Sequence, residues 1–218
     1  MRNNPLRWAG ILGLLLATAL TALVVAGWRP LLSYDDRVAR DLHAHAVAHL
    51  GFTHTMKVLT DWVWDPWTMR ALAFLACVLL WWRGDRERAL RVALVTVVAT
   101  AVQQGLKALV GRERPVWSDP VDSAQYLAYP SGHALTATVV CGLLLWLLPH
   151  PAPAWAPFAW ALAVVSVLGV GFTRVYLGVH WLSDVVAGWL LGVALVALAT
   201  SGSDRRRRSR GEKEAAQP

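Results

Sequence analysis

Phe172-Thr173-Arg174-Val175-Tyr176-Leu177-Gly178-Val179-His180-Trp181-Leu182-Ser183-Asp184 joins two long apolar runs, Trp155–Phe172 and Ser183–Thr200. Its ionisable members, Arg174, His180 and Asp184, stand where one run ends and the next begins. Such groups are expensive near the middle of a bilayer, so their gathering at the shared edge of two runs reads as the mouth of a membrane bundle. Working outward, four more apolar runs appear: Trp8–Gly27, Trp64–Trp82, Ala89–Leu109 and Ala134–Leu148. Each approaches the roughly 20 residues a spanning helix needs; the fourth is short and is expected to extend into its flank. The spacing therefore predicts an all-α bundle of six transmembrane helices over residues 1–202, followed by a basic cytoplasmic tail over 203–218.

Composition agrees. Of 218 residues 56% are hydrophobic and only 16% are charged, too few charges for a soluble domain of this length. The chain has 13 Trp, several of them flanking the runs, where an apolar ring with a polar N–H suits the membrane interface. A net charge of +7 invites a nucleic-acid reading, but the densest basic cluster, Arg205–Arg208 with Arg210, directly follows the last run. There it reads as a cytoplasmic anchor beside anionic lipid heads, and no nucleic-acid partner is expected. Cys77 and Cys141 fall within apolar runs and read as small buried hydrophobes. Nothing in the pattern specifies an oligomeric state.

Arginine placement orients the bundle. Arg2 and Arg7 precede the first run, and Arg83, Arg86, Arg88 and Arg91 crowd the link between the second and third. With the basic tail, all three segments share one side if six spans alternate, and that side is cytoplasmic. The first outer loop, Arg29–Val63, also carries basic residues, against this assignment. Parity then sends the end of the third run, the start of the fourth and the Arg174–Asp184 link to one common, non-cytoplasmic interface. The first run is read as an uncleaved anchor, because its apolar stretch continues to Trp28, past the small-residue pair Ala17 and Ala19.

Two further polar signatures lie at that interface: Lys107-Ala108-Leu109-Val110-Gly111-Arg112-Glu113-Arg114-Pro115 and Pro130-Ser131-Gly132-His133. Lys107 follows Gln103 by one helical turn, and alone it would read as a lysine snorkelling from a helix end. Arg114 is biased toward extended backbone by Pro115, and its guanidinium binds two phosphate oxygens at once. Arg112 reads as a solvated neighbour paired with Glu113. Ser131 suits a helix cap, Gly132 allows close backbone approach, and amides at a helix start favour an anion. His180 and Asp184 are one turn apart, the spacing of a structural pair or of a carboxylate that orients an imidazole. Together these signatures supply fixed cations, imidazoles and a carboxylate, the groups that hold and cleave a phosphate ester.

The order and spacing resemble the type 2 phosphatidic acid phosphatase superfamily, the membrane lipid phosphate phosphatases. The matching motifs are Lys-x6-Arg-Pro at Lys107, Pro-Ser-Gly-His at Pro130, and Arg-x5-His-x3-Asp at Arg174, with Thr173 where the family usually has Ser. The resemblance spans Lys107 to Asp184. It implies metal-independent and cofactor-free dephosphorylation of a membrane lipid phosphate or pyrophosphate. His180 would be the nucleophile, His133 the general acid and Asp184 the orienting carboxylate. Lys107, Arg114, Ser131, Gly132 and Arg174 would bind the phosphate. A phosphotransferase using the same phosphoenzyme and a non-enzymatic transporter or channel are the alternatives, although a transporter would spread its charges through the spans.

His43, His45, His49 and His54 lie in the first outer loop, with His45 and His49 at the spacing of a helical metal pair. The segment Asp36–Leu50 alternates apolar and polar residues. It is read as an amphipathic helix at the membrane surface in preference to a metal site. The loop Val116–Tyr129, with Trp117, Asp119, Asp122, Tyr126 and Tyr129, is expected to contribute to substrate choice.

Overall fold

Polar residues placed just before apolar runs start several of the helices. The Asn4 side chain accepts from the Leu6 amide at 3.1 Å. Asp65 accepts from Trp67 at 2.7 Å and Thr68 at 3.2 Å, and Asp85 from Arg88 at 3.3 Å. Each satisfies first-turn amides that have no partner within the helix. Pro5 and Pro66 occupy first helical positions, where a missing N–H costs nothing.

The computed structural model describes residues 4–149 and 151–202, so the basic tail read over 203–218 lies outside the described residues. Among the described residues every regular element is helical. The order is α1 (Pro5–Val25), α2 (Arg29–Ala48), α3 (Leu50–Val58), a π-helical turn (Leu59–Val63), α4 (Pro66–Trp82), α5 (Arg86–Val110), α6 (Gly132–Trp146), α7 (Ala156–Tyr176) and α8 (Leu182–Thr200). All six apolar runs become helices. Five segments are long and apolar enough to cross a membrane: α1, the run from α3 through α4, α5, α7 and α8.

The shorter helix, α6, has 15 residues, roughly 22 Å against the roughly 30 Å of a hydrocarbon core. It tolerates this because it is central. Nine of its residues are buried, and it packs against α4, α5, α7 and α8. Its Leu135, Ala137, Val139, Val140 and Leu143 form the main core with Met69, Val92, Val95, Ala99, Val170 and Leu191. Large apolar side chains on the surrounding helices, among them Leu15, Phe74, Leu94, Phe158 and Leu162, point outward. That inversion suits a lipid solvent. As the length suggested, α6 does extend into its flanking motif, starting at Gly132.

The first outer loop differs from its sequence reading. The segment expected as a surface helix over Asp36–Leu50 begins at Arg29, and helix continues with a break at His49 to Val63. Moreover, α2 packs on α7 and α8 through a buried stripe of Asp35, Ala39, His43 and Ala46. Three of these sit at successive i, i+4 positions and the fourth three further on, which places them on one face. Two of the four are alanines, and small side chains let the helix approach closely.

Candidate active site

Every candidate residue lies at one end of the bundle, because α5 and α7 end there while α6 and α8 begin there. Lys107 occupies the last turn of α5, which Gly111 terminates in a left-handed conformation (φ 63°) with its N–H on the Lys107 carbonyl. That turn releases the chain toward Arg112 and Arg114. Ser131 stands at the cap of α6, and its amide donates to the Asp184 carbonyl on α8 at 2.9 Å. The α7–α8 link folds back on itself, with the Val179 and His180 amides both donating to the Arg174 carbonyl at 3.2 Å.

His180 is fixed from both sides of its ring. Nδ1 lies 3.2 Å from Asp184 Oδ2, and Nε2 lies 3.0 Å from Arg114 Nη1. A carboxylate accepts and a guanidinium only donates, so Nδ1 carries the proton and Nε2 keeps its lone pair. Burial, then the cations Arg114, Arg174, Lys107 and Arg112, holds this imidazole well below its usual range, in the neutral form. Both ring and carboxylate are buried. The Asp184 carboxylate is itself locked, accepting from the Trp181 amide at 2.9 Å and from Arg112 at 2.7 Å.

The three expected phosphate-binding cations all touch the segment Asp122–Leu127. Lys107 donates to the Leu127 carbonyl. Arg114 donates to the carbonyls of Tyr126 at 2.8 Å and Gln125 at 3.2 Å. Arg174, buried, reaches Thr60 Oγ1 at 3.2 Å and lies 3.8 Å from Asp122. The loop expected to influence substrate choice therefore supplies oxygens to the same cations that would hold a phosphate. It is anchored at its other end, where Trp117 donates to the Gly178 carbonyl at 2.8 Å and stacks on His43 at 4.0 Å.

Several polar atoms here are buried without a hydrogen-bond partner: Ser131 Oγ, Gln103 Oε1 and Arg174 Nε. Leaving a buried polar group unpaired costs about 1–3 kcal/mol; the Ser131 hydroxyl and Arg174 Nε can donate to ligand oxygens, whereas Gln103 Oε1 can only accept. Ser131 occupies the cap position that its residue type suggested, but its hydroxyl makes no capping bond and stays free. Gly132 lies directly against Gln103, where a Cβ would fall 2.4 Å from the amide nitrogen. His133, in the first turn of α6, is partly buried in the combined field of Arg174, His180, Arg114 and Lys107. The Thr173 hydroxyl turns back to the Val170 carbonyl at 2.7 Å, within its own helix.

One sequence reading is overturned. Arg112 is neither solvated nor paired with Glu113. Its side chain is only 12% exposed and joins two buried carboxylates, Asp184 at 2.7 Å and Asp35 at 2.8 Å. Helix packing brings Asp35 to it from a distant part of the chain, and two buried carboxylates require a cation between them. Asp35 reads in sequence only as one of several acidic residues of the first outer loop. Its signal was periodicity: it shares a face with Ala39, His43 and Ala46, where a carboxylate is out of place unless it is paired.

The histidines of the first outer loop separate. His45 and His49 stack at 3.9 Å, and His45 Nδ1 meets the Tyr176 hydroxyl at 3.1 Å, while His43 turns to Trp117. Among the described residues no three His, Cys, Asp or Glu side chains are grouped to hold a metal ion. Tyr129, directly before the Pro130–His133 motif, is buried, its phenol pushed up to about 12 by that burial and hydrogen-bonded to Thr21 of α1 at 2.8 Å.

The chain is similar to known proteins over most of the segment that carries these residues. The family model described as the PAP2 superfamily matches residues 88–208. An undecaprenyl-diphosphatase of Sulfolobus acidocaldarius is 31% identical over 141 residues, covering 61% of this chain and 59% of that protein. Phosphatidylglycerophosphatase B of Bacillus subtilis is 32% identical over 108 residues, 48% of this chain and 53% of that protein. The chain thus spans between half and two thirds of the length of these curated relatives. A solved transmembrane PAP2-type phosphatidylglycerolphosphate phosphatase from Bacillus subtilis superposes with a TM-score of 0.72 at 21% identity. The match covers 91% of this chain and 97% of that one, a likeness of fold.

Proposed function

This chain belongs to the PAP2 superfamily, and on that premise we propose that it hydrolyses a membrane lipid phosphate or pyrophosphate through a phosphohistidine on His180. The observation that carries the reading is the line Asp184–His180–Arg114. A carboxylate holds Nδ1, so the lone pair stays on Nε2, where Arg114 now donates and the substrate phosphorus would take its place.

Nε2 attacks phosphorus as the bond to the leaving oxygen breaks, and His133 delivers a proton to that oxygen. The lipid alcohol departs, or the lipid monophosphate when the substrate is a pyrophosphate. Lys107, Arg114 and Arg174, with Ser131 and the Gly132 amide, neutralise the non-bridging oxygens as charge develops. Their present oxygen partners on the segment Asp122–Leu127 yield to those of the substrate. Water then gives a proton to the now neutral His133 and attacks the phosphohistidine, the P–N bond breaks, and inorganic phosphate leaves. These fixed positive charges do the neutralising work, so the reaction proceeds without a metal ion.

The relatives are named for undecaprenyl diphosphate and phosphatidylglycerophosphate, two lipids that share only a phosphate group on an apolar anchor. That shared chemistry is the substrate class assigned here. In the cell membrane α6 completes a six-span bundle, α2 lies along the interface, and the site faces the non-cytoplasmic side. Arg83 in the α4–α5 link, Arg86, Arg88 and Arg91 at the start of α5, and the position of the motifs at the opposite end support this orientation.

Protein incubated with a lipid carrying labelled phosphate and quenched with detergent at alkaline pH should retain label on an acid-labile, base-stable bond. His180→Ala should retain none, and turnover should survive EDTA. Label on the wild type with a base-labile bond, or turnover requiring an added divalent ion, would overturn the mechanism.

A further inference from the structure

We infer that Asp35 and Arg112 are positioning residues for the nucleophile, acting through Asp184; the inference rests on His180 being that nucleophile. The chain of contacts is continuous. Arg112 Nη1 donates to Asp184 Oδ1 at 2.7 Å, while Asp184 Oδ2 receives His180 Nδ1 and the Trp181 amide. Arg112 Nη2 donates to Asp35 Oδ2 at 2.8 Å. Asp35 Oδ1 accepts the Ser183 amide at 2.9 Å, and Ser183 Oγ bonds both Asp35 Oδ2 and Arg112 Nη1. Both carboxylates are wholly buried.

The arrangement has a directional consequence. A carboxylate held only by an imidazole can rotate about its Cβ–Cγ bond and swing the ring with it. Here one oxygen is committed to Arg112 and the other to His180 and Trp181, so the rotation is stopped. Arg112 is in turn held by Asp35, and its face lies 5.4 Å from the Trp181 ring. The guanidinium makes three hydrogen bonds, to Asp184, Ser183 and Asp35, and lies on the Nδ1 side of His180, which leaves Nε2 to Arg114. Two arginines two residues apart thus divide the work, one facing phosphate and the other facing the orienting carboxylate. Because Asp35 belongs to α2, the seating of the first outer segment is felt at the attacking nitrogen.

Steady-state kinetics on a lipid monophosphate in detergent test this, with thermal unfolding measured for each variant. Arg112→Lys keeps the charge but loses the two-pronged geometry, and Asp35→Asn keeps the shape but loses the charge. Each should lower kcat by on the order of 10²-fold, the cost of a small misplacement, with KM changed less than about threefold. Arg114→Lys, by contrast, should raise KM. In an Asp184→Asn background, adding Arg112→Lys should cost less than about threefold more, because the route it acts through is already cut. A purely structural pair would add its full loss there, and that result would overturn the inference.

If Arg112→Lys fails to fold, Asp35→Asn carries the test by itself, since it leaves Arg112 paired with Asp184 and no buried carboxylate without a cation. That variant should fold and stay slow; wild-type kcat in it would overturn the proposal. His180→Ala separates the two levels. Turnover in His180→Ala refutes the phosphohistidine reading, whereas a dead His180→Ala beside fast Arg112→Lys and Asp35→Asn refutes the positioning role alone.

Discussion

At the scale of single residues, His133 and His180 share a residue type and a neighbourhood but not a task. His180 is held at Nδ1 by Asp184 and at Nε2 by Arg114, whereas His133 sits at the start of α6. A general acid contributes roughly 10²–10⁴-fold, and most where the departing oxygen is a poor leaving group. His133→Ala should therefore cripple hydrolysis of a lipid monophosphate, whose leaving group is an alkoxide. Nitrophenyl phosphate should suffer far less, since nitrophenolate departs without a proton. Rates on both substrates decide the matter, and equal losses with no accumulated phosphoenzyme would remove His133 from the acid role.

At the scale of elements, the site depends on how closely α6 approaches α8. Gly188 and Gly192 make that contact. A Cβ at Gly188 would fall 2.8 Å from the Ser131 carbonyl and 3.0 Å from the Leu135 amide, and one at Gly192 would meet Thr138 Cβ at 2.6 Å. Backbone cannot step aside as a flexible side chain does. Gly188→Ala should force the helices apart, destabilise by about 1–3 kcal/mol, and shift Ser131 and His133 away from His180, so that kcat falls as well. Gly105 on α5 is the control: nothing lies within 4 Å of its Cβ position. Gly105→Ala should leave kcat unchanged and stabilise by about 0.5–1 kcal/mol, since alanine is the better helix former. Thermal unfolding and turnover of the two variants side by side would test the claim; equal behaviour would refute it.

At the scale of the whole molecule, the prediction is topological. Parity of the spans places the α5–α6 and α7–α8 links on one side of the membrane and the α4–α5 link on the other. In a background with Cys77 and Cys141 replaced by serine, Ser118→Cys should react with an impermeant thiol reagent in intact cells. Arg83→Cys should react only after the membrane is opened. The reverse pattern would invert the bundle and move the site to the cytoplasmic face.

The helical membrane class, the six apolar runs and the gathering of the three motifs at one end were all legible in the sequence. Hydrophobic length and the cost of burying charge are properties of a linear chain, so counting runs and noting where charges interrupt them is enough. The same reasoning found three polar signatures at run edges, and their resemblance to one family's motifs singled out His180, His133, Asp184, Lys107, Arg114, Ser131, Gly132 and Arg174. It took Arg114 for phosphate by its place before Pro115, left Arg112 as a solvated neighbour, and did not raise Asp35 above its neighbour Asp36. Their difference lies in contacts across 77 and 148 residues, Arg112 with Asp35 and Asp35 with Ser183. Likewise, the cations' partners on the segment Asp122–Leu127 depend on a loop that carries no periodicity. Only packing determines which carboxylate or carbonyl comes within about 3 Å of a given cation. An ion pair that short is set by how whole helices seat against one another, and no local pattern encodes that.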